Sequence, residues 1–289
     1  MSKGGNWRAA LAALAASAAT GCGSGRALVI FFGQLGWASW PGIALASAAF
    51  GLMAGLVARL CARAGADYFA ALCRRSLGRG CAHVVGVFHA LMLAAVAVVA
   101  LTNAGEAGAL TLPVKRGFLW GMGLALALAA LLCLWERQAL PWAGLIILAV
   151  GAAFCAALAI DPRPPRLYLR GDVVPALAGS LPAAAGLALC YAALNGCVAA
   201  DAVCRCSDGS ARPVRTGLLS GAGMALTLAL GNAMLARGGP MLLALAAPAV
   251  PLAARWGLVG FWLCASLAFF CNVLTLSAAM GGLMGWLGR

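Results

Sequence analysis

The chain has 289 residues, of which 64% are hydrophobic and only 9% charged, against about 25% charged in soluble domains. Seven acids and twenty lysines and arginines cannot cover a soluble surface of this size, so a soluble globular protein is excluded and lipid is the main solvent. The net charge of +13 points to anionic lipid headgroups rather than nucleic acid, because no loop carries a run of basic residues interleaved with aromatics on a soluble module.

Short charge clusters cut the chain into about eight apolar runs, each near the 20 residues that cross a bilayer core. They cover 9–37, 41–59, 81–103, 117–135, 140–160, 175–200, 216–236 and 256–287. The expected fold is an all-α polytopic transmembrane bundle in one domain. A barrel is excluded because the runs are continuously apolar, without period-two alternation. Twelve Lys and Arg fall on one side of these spans and seven on the other. The excess predicts a multi-pass protein of the cytoplasmic membrane with its N-terminus inside. The first run is too long for a cleavable signal peptide and is expected to stay in the membrane.

The first span carries the most informative feature. Within it, Gly21-Cys22-Gly23-Ser24-Gly25-Arg26 begins close to the bilayer midplane, roughly 17 Å in at 1.5 Å per residue. Glycine weakens a helix, and irregular backbone at that depth is tolerated only against protein or a water-filled cavity. A helix broken there could resume from a Ser24 cap, offering N–H groups and a positive dipole end to an anion. The alternative is a small-residue face packed on a neighbouring helix. Arg26 favours the break, since intramembrane charge is functional by default.

Between the second and third spans, 61–80 holds Asp67, Tyr68 and Phe69 beside Arg74, Arg75 and Arg79. This pattern fits either a short helix on the membrane surface or a solvated loop. His83 and His89 in the third span are six apart and share no metal-binding face. His89 is either a proton relay or a buried, hydrogen-bonded core residue. Glu106 and Asn103 close the third span. Glu106 is an acid able to pair with Arg26, or else a solvated helix end. Tyr191, Asn195 and Gly196 lie mid-span in the sixth helix, where the last two weaken helix and offer amide and backbone contacts. The twelve cysteines read chiefly as small packing residues among Ala and Gly, and Cys204 and Cys206 lack the further ligands a metal needs. The 240–252 stretch, with three prolines, is read as an outer loop helix or re-entrant cap.

Ser24-Gly25-Arg26-Ala27-Leu28, followed by Phe31-Phe32 and Gly36, resembles the first-helix signature of the YkvI-like bacterial membrane proteins. These belong to the LeuT-fold amino acid/polyamine/organocation superfamily. Ala104 to Leu110 with Leu112-Pro113, the pair Tyr191 and Asn195, and Gly239-Pro240-Met241-Leu242 are similar to that family in order and spacing. The resemblance implies an inverted repeat in which helices one and six are both interrupted around a substrate. The first repeat would cover about 7–160 and a shortened second one about 175–289. It also implies about ten helices where this chain has about eight, and a glutamate where Ala27 stands.

The resemblance further implies a secondary transporter of an amino acid or related small amine or zwitterion, working by alternating access and coupled to Na+ or H+. The substrate site would comprise Gly21, Cys22, Gly23, Ser24, Gly25, Arg26, Asn103, Glu106, Tyr191, Asn195 and Gly196. A coupling ion would sit among Gly21, Ser24, Asn272, Thr275 and Ser277. No metal, other cofactor or nucleic acid is expected; the partners are the bilayer, a small-molecule substrate and a second copy in a homodimer. An enzyme is not expected, because no orienting group accompanies Ser24, Cys22 or His89. The competing reading is a receptor or scaffold, or a truncated inactive relative, that keeps the LeuT-type core without transport.

Overall fold

The computed structural model describes residues 5–21, 25–112, 114–161, 180–207, 212–236 and 249–288. Among them all regular structure is helical. The first span is divided into α1 (Gly5–Ala16), α2 (Ala18–Gly21) and α3 (Arg26–Phe31). A 3-10 turn over Gly33–Ala38 leads into α4 (Ser39–Ala64). Then follow α5 (Phe69–Leu77), α6 (Arg79–Thr111), α7 (Gly117–Leu134), α8 (Glu136–Ile160), α9 (Leu181–Cys206), α10 (Pro213–Ala236), α11 (Ala249–Ala253) and α12 (Gly257–Leu287). Seven helices among the described residues are long and apolar enough to cross a membrane. The chain is thus a polytopic helical bundle whose outer surface suits a bilayer.

Two sequence readings are settled by local structure. The connection after the second span is a helix, α5, rather than a loop. Its position is fixed where α4 stops: Gly65 takes the left-handed conformation (φ 59°) that glycine adopts without penalty, and caps α4. Arg75 of α5 then donates to the carbonyl oxygens of Ala64 and Gly65. The third helix is longer than its apolar run. α6 has 33 residues, about 50 Å at 1.5 Å each, and it extends past Asn103 and Glu106 because isolated polar residues do not end a helix. The expected start of the sixth span at 175 and most of the 240–252 stretch lie outside the described residues.

The spanning helices sort into two groups. α1, α4, α9 and α10 pack on one another, as do α6, α7 and α12, while α8 lies against α1, α10 and α12. Small residues set these crossings. Gly51 and Gly55 of α4 face Gly217 and Gly221 of α10, and a Cβ on Gly51 would stand 2.7 Å from the Gly217 carbonyl oxygen. Gly108 on α6 meets Gly117 and Gly121 on α7 in the same way. Between helices already solvated by lipid, such close approach supplies the attraction through van der Waals contact. Gly217→Leu is therefore expected to force α4 and α10 apart at a cost of about 1–3 kcal/mol. A thermal melt of the purified protein in detergent reads this as a lower midpoint, and an unchanged melt would refute the crossing.

One feature implied by the resemblance is corrected. The sixth span is not interrupted: α9 runs unbroken from Leu181 to Cys206 through Asn195 and Gly196. Asn195 Nδ2 donates to the Tyr191 carbonyl oxygen one turn earlier, at 2.9 Å, keeping its amide within the helix. A Cβ on Gly196 would collide with Met53 of α4. This glycine serves helix packing rather than a break.

Candidate functional site

The first span is where regular helix stops inside the bundle. α2 is described as far as Gly21, and α3 starts at Arg26 behind Gly25, whose φ of 80° is left-handed. Only glycine takes that conformation without strain. Cys22, Gly23 and Ser24 lie outside the described residues. The two ends are held by their neighbours. Ala19 N–H donates to Thr275 Oγ1 of α12 at 3.1 Å, so a side chain of the other helix group accepts a backbone donor next to the break. On the far side, Phe31 and the following Phe32 set their rings edge-on to Tyr191 of α9, each at 5.3 Å between centroids.

Beside the break lies a cavity of about 540 Å³ between the two helix groups. Its polar lining comes from four elements: Arg26 on α3, Thr102, Asn103 and Glu106 on α6, Asn195 on α9, and Asn272 and Thr275 on α12. Ala, Val, Leu, Ile, Phe and Met supply the rest of the wall. The volume lies within the range of small-molecule sites, which combine apolar walls with a few convergent polar groups. Arg26 and Glu106 are both exposed, so a cation and an anion face the same space from different helices. Asn272 adds an unused acceptor. Its Nδ2 donates to the Ala268 carbonyl oxygen at 2.8 Å, while its buried Oδ1 has no hydrogen-bond partner among the described residues. A buried acceptor left unmade is costly, and a donor brought by a ligand would satisfy it.

The sequence-derived candidates divide accordingly. Arg26, Asn103, Glu106, Asn195, Asn272 and Thr275 are brought together at the cavity. Gly21 and Gly25 flank the break. Tyr191 stands one layer back, fully buried behind Phe31, with its hydroxyl 3.8 Å from Met224 Sδ. Gly196 faces Met53 instead. Ser277 does not join Thr275: it is buried toward α7, where the Cys133 thiol donates to its carbonyl oxygen at 3.2 Å. The reason is helical phase. Positions 272 and 275 share a face at three residues apart, whereas 275 and 277 point about 200° apart at 100° per residue.

A second polar cluster, which the sequence reading did not assemble, lies toward the α5 end. His89 Nε2 of α6 and Asp201 Oδ2 of α9 are 2.7 Å apart, and both side chains are buried. The only signal in the sequence was a histidine inside one span and an acid at the margin of another, with nothing to pair them.

No family model matches the chain, and neither does any curated protein or solved structure.

Proposed function

We propose that this protein is a secondary transporter of a small zwitterion, an amino acid or close relative, working by alternating access with its binding site in the cavity beside the broken first span. The carrying observation is that the break between α2 and α3 adjoins a cavity whose polar groups come from both helix groups. Transporters bind substrate at the interface of two structural units, next to discontinuous helices, and rock one unit against the other. The contact of Ala19 with Thr275 and the shared cavity lining supply such an interface. Arg26 suits a substrate carboxylate; Glu106 with the open Asn272 oxygen suits an ammonium group. A LeuT-type inverted repeat, as in the YkvI-like proteins, agrees with this grouping, although α9 is continuous over its described residues Leu181–Cys206. On the orientation given by positive-residue bias, the α5 end faces the cytoplasm.

The test is a thermal-shift screen of the purified protein against amino acids and polyamines, with sodium or potassium as the only varied cation. A selective rise in melting temperature with one amino acid class is expected, since a ligand bound only by the native state stabilises it. A cooperative melt that no ligand moves would refute the reading.

A further inference from the structure

Asp201 is 2% exposed and His89 6%, and their contact joins α9 of one helix group to α6 of the other. The same carboxylate holds a third element: its Oδ1 accepts the Phe69 N–H, the first backbone donor of α5, at 2.9 Å. Phe69 also lays its ring on His89, with centroids 4.6 Å apart. Arg205, one turn after Asp201, donates from Nε to the Asp201 carbonyl oxygen at 3.3 Å and from Nη2 to the Ala278 carbonyl oxygen of α12 at 3.2 Å. Its guanidinium lies 5.8 Å from the Tyr68 ring just before α5. Glycines admit these contacts: a Cβ on Gly282 would stand 2.7 Å from Asp201 Oδ2, and one on Gly285 would strike the Tyr68 ring. The start of α5 is thus gripped at the seam between the two helix groups.

A buried carboxylate needs compensation, and a buried ion pair survives only with good geometry and further hydrogen bonds. We propose that His89 and Asp201 form a proton-binding latch: with its second proton, His89 ties α6 to α9 and α5, and loss of that proton loosens the seam at the α5 end. A neutral ring that donates from Nε2 to Asp201 takes the second proton from water on Nδ1. With a cationic ring, the contact with the Asp201 carboxylate gains an opposite-charge attraction beyond the bond that the neutral ring already makes to it. The sign follows from this: the latch is closed below the pair's midpoint and weakens as pH rises through it. Among the described residues, the other titratable or charged groups around the pair are Cys197 and Arg205 on α9 and Cys73 on α5, with Cys61 and Cys204 beside Cys73 and Asp201. From α12, the Ala278 carbonyl oxygen, Gly282 and Gly285 face this cluster. As the site of a coupling proton, the latch rests on the transporter reading; as a proton-controlled contact, it does not.

Two measurements on the full chain test it. The sequence has two histidines, and His83 is exposed, so ring-15N-histidine NMR of His83→Gln in nanodiscs reports His89 alone. The ring is expected to titrate between pH 5 and 10, with a midpoint displaced by at least one pH unit in Asp201→Asn. A His89 ring that keeps one protonation state across that range overturns the proposal. The second readout is Cys73, buried on α5, where burial first, then Asp201 and Cys61, raise the thiol above its ordinary value. Its maleimide labelling, resolved by peptide mass, is taken as a ratio of wild type to His89→Gln, which cancels the thiol's own ionisation. That ratio should rise at least threefold from below to above the midpoint. A ratio constant with pH overturns the latch even if His89 titrates. Neither measurement uses a substrate, so the two ideas fail separately. Titration and release with no ligand response remove only the transporter reading, and transport with an inert His89 removes only the latch.

Discussion

Asp201→Leu should lower the stability of the purified protein more than any other single change at the helix seam, by about 3 kcal/mol or more. The loss has three sources. His89 Nε2 is left buried without its Asp201 partner, the Phe69 N–H at the start of α5 loses its acceptor, and the charge opposite Arg205 disappears. An orphaned buried donor costs about 1–3 kcal/mol. The leucine must also fit against Gly282. His89→Leu removes less, because Asp201 keeps Phe69 and Arg205. The double variant His89→Leu/Asp201→Leu should recover part of the single loss, since replacing both members of a buried pair by apolar groups avoids the unpaired charge. Thermal melts of the four proteins in one detergent decide the matter. A single variant as stable as wild type, with no coupling in the cycle, would mean that the cluster does not hold the seam.

The cluster also shows where the sequence stopped being informative. Spans were legible because twenty apolar residues between charges have few other uses, and the seven long helices follow those runs closely. The break before Arg26 was legible because three glycines and a cation at midplane depth conflict with a plain helix, and Gly25 does take a left-handed conformation. The two polar residues of the sixth span misled for a physical reason. Asn195 has a local acceptor one turn back and Gly196 has Met53 to receive, so neither breaks α9. Asp201 escaped notice because the apolar run appeared to end at 200, whereas α9 continues to Cys206 and keeps Asp201 and Arg205 buried. The length of a buried helix is set by what it packs against, and a run of hydropathy gives only its lower limit. Pairing across 112 residues, as for His89 and Asp201, is a property of the packed helices and has no local signature.

The cavity makes a prediction that separates the two ends of a ligand. Arg26→Ala should weaken binding of an amino acid by about tenfold to a hundredfold, the loss that follows when a hydrogen bond to a charged group goes. It should leave the corresponding decarboxylated amine almost unaffected, because that ligand presents no carboxylate to a guanidinium. Glu106→Gln should do the reverse: the amine loses affinity as strongly as the amino acid, since both carry the ammonium group. The argument rests on Arg26 and Glu106 facing one space from α3 and α6. Calorimetric titration of both variants with the amino acid that most raises the melting temperature, and with its decarboxylated analogue, gives a two-by-two pattern that nonspecific destabilisation cannot produce. Equal losses for both ligands in Arg26→Ala would show that the arginine supports the fold of the break rather than the carboxylate. Unchanged affinity in both variants would take the binding site out of this cavity, leaving a membrane receptor or scaffold as the reading that the two helix groups still allow.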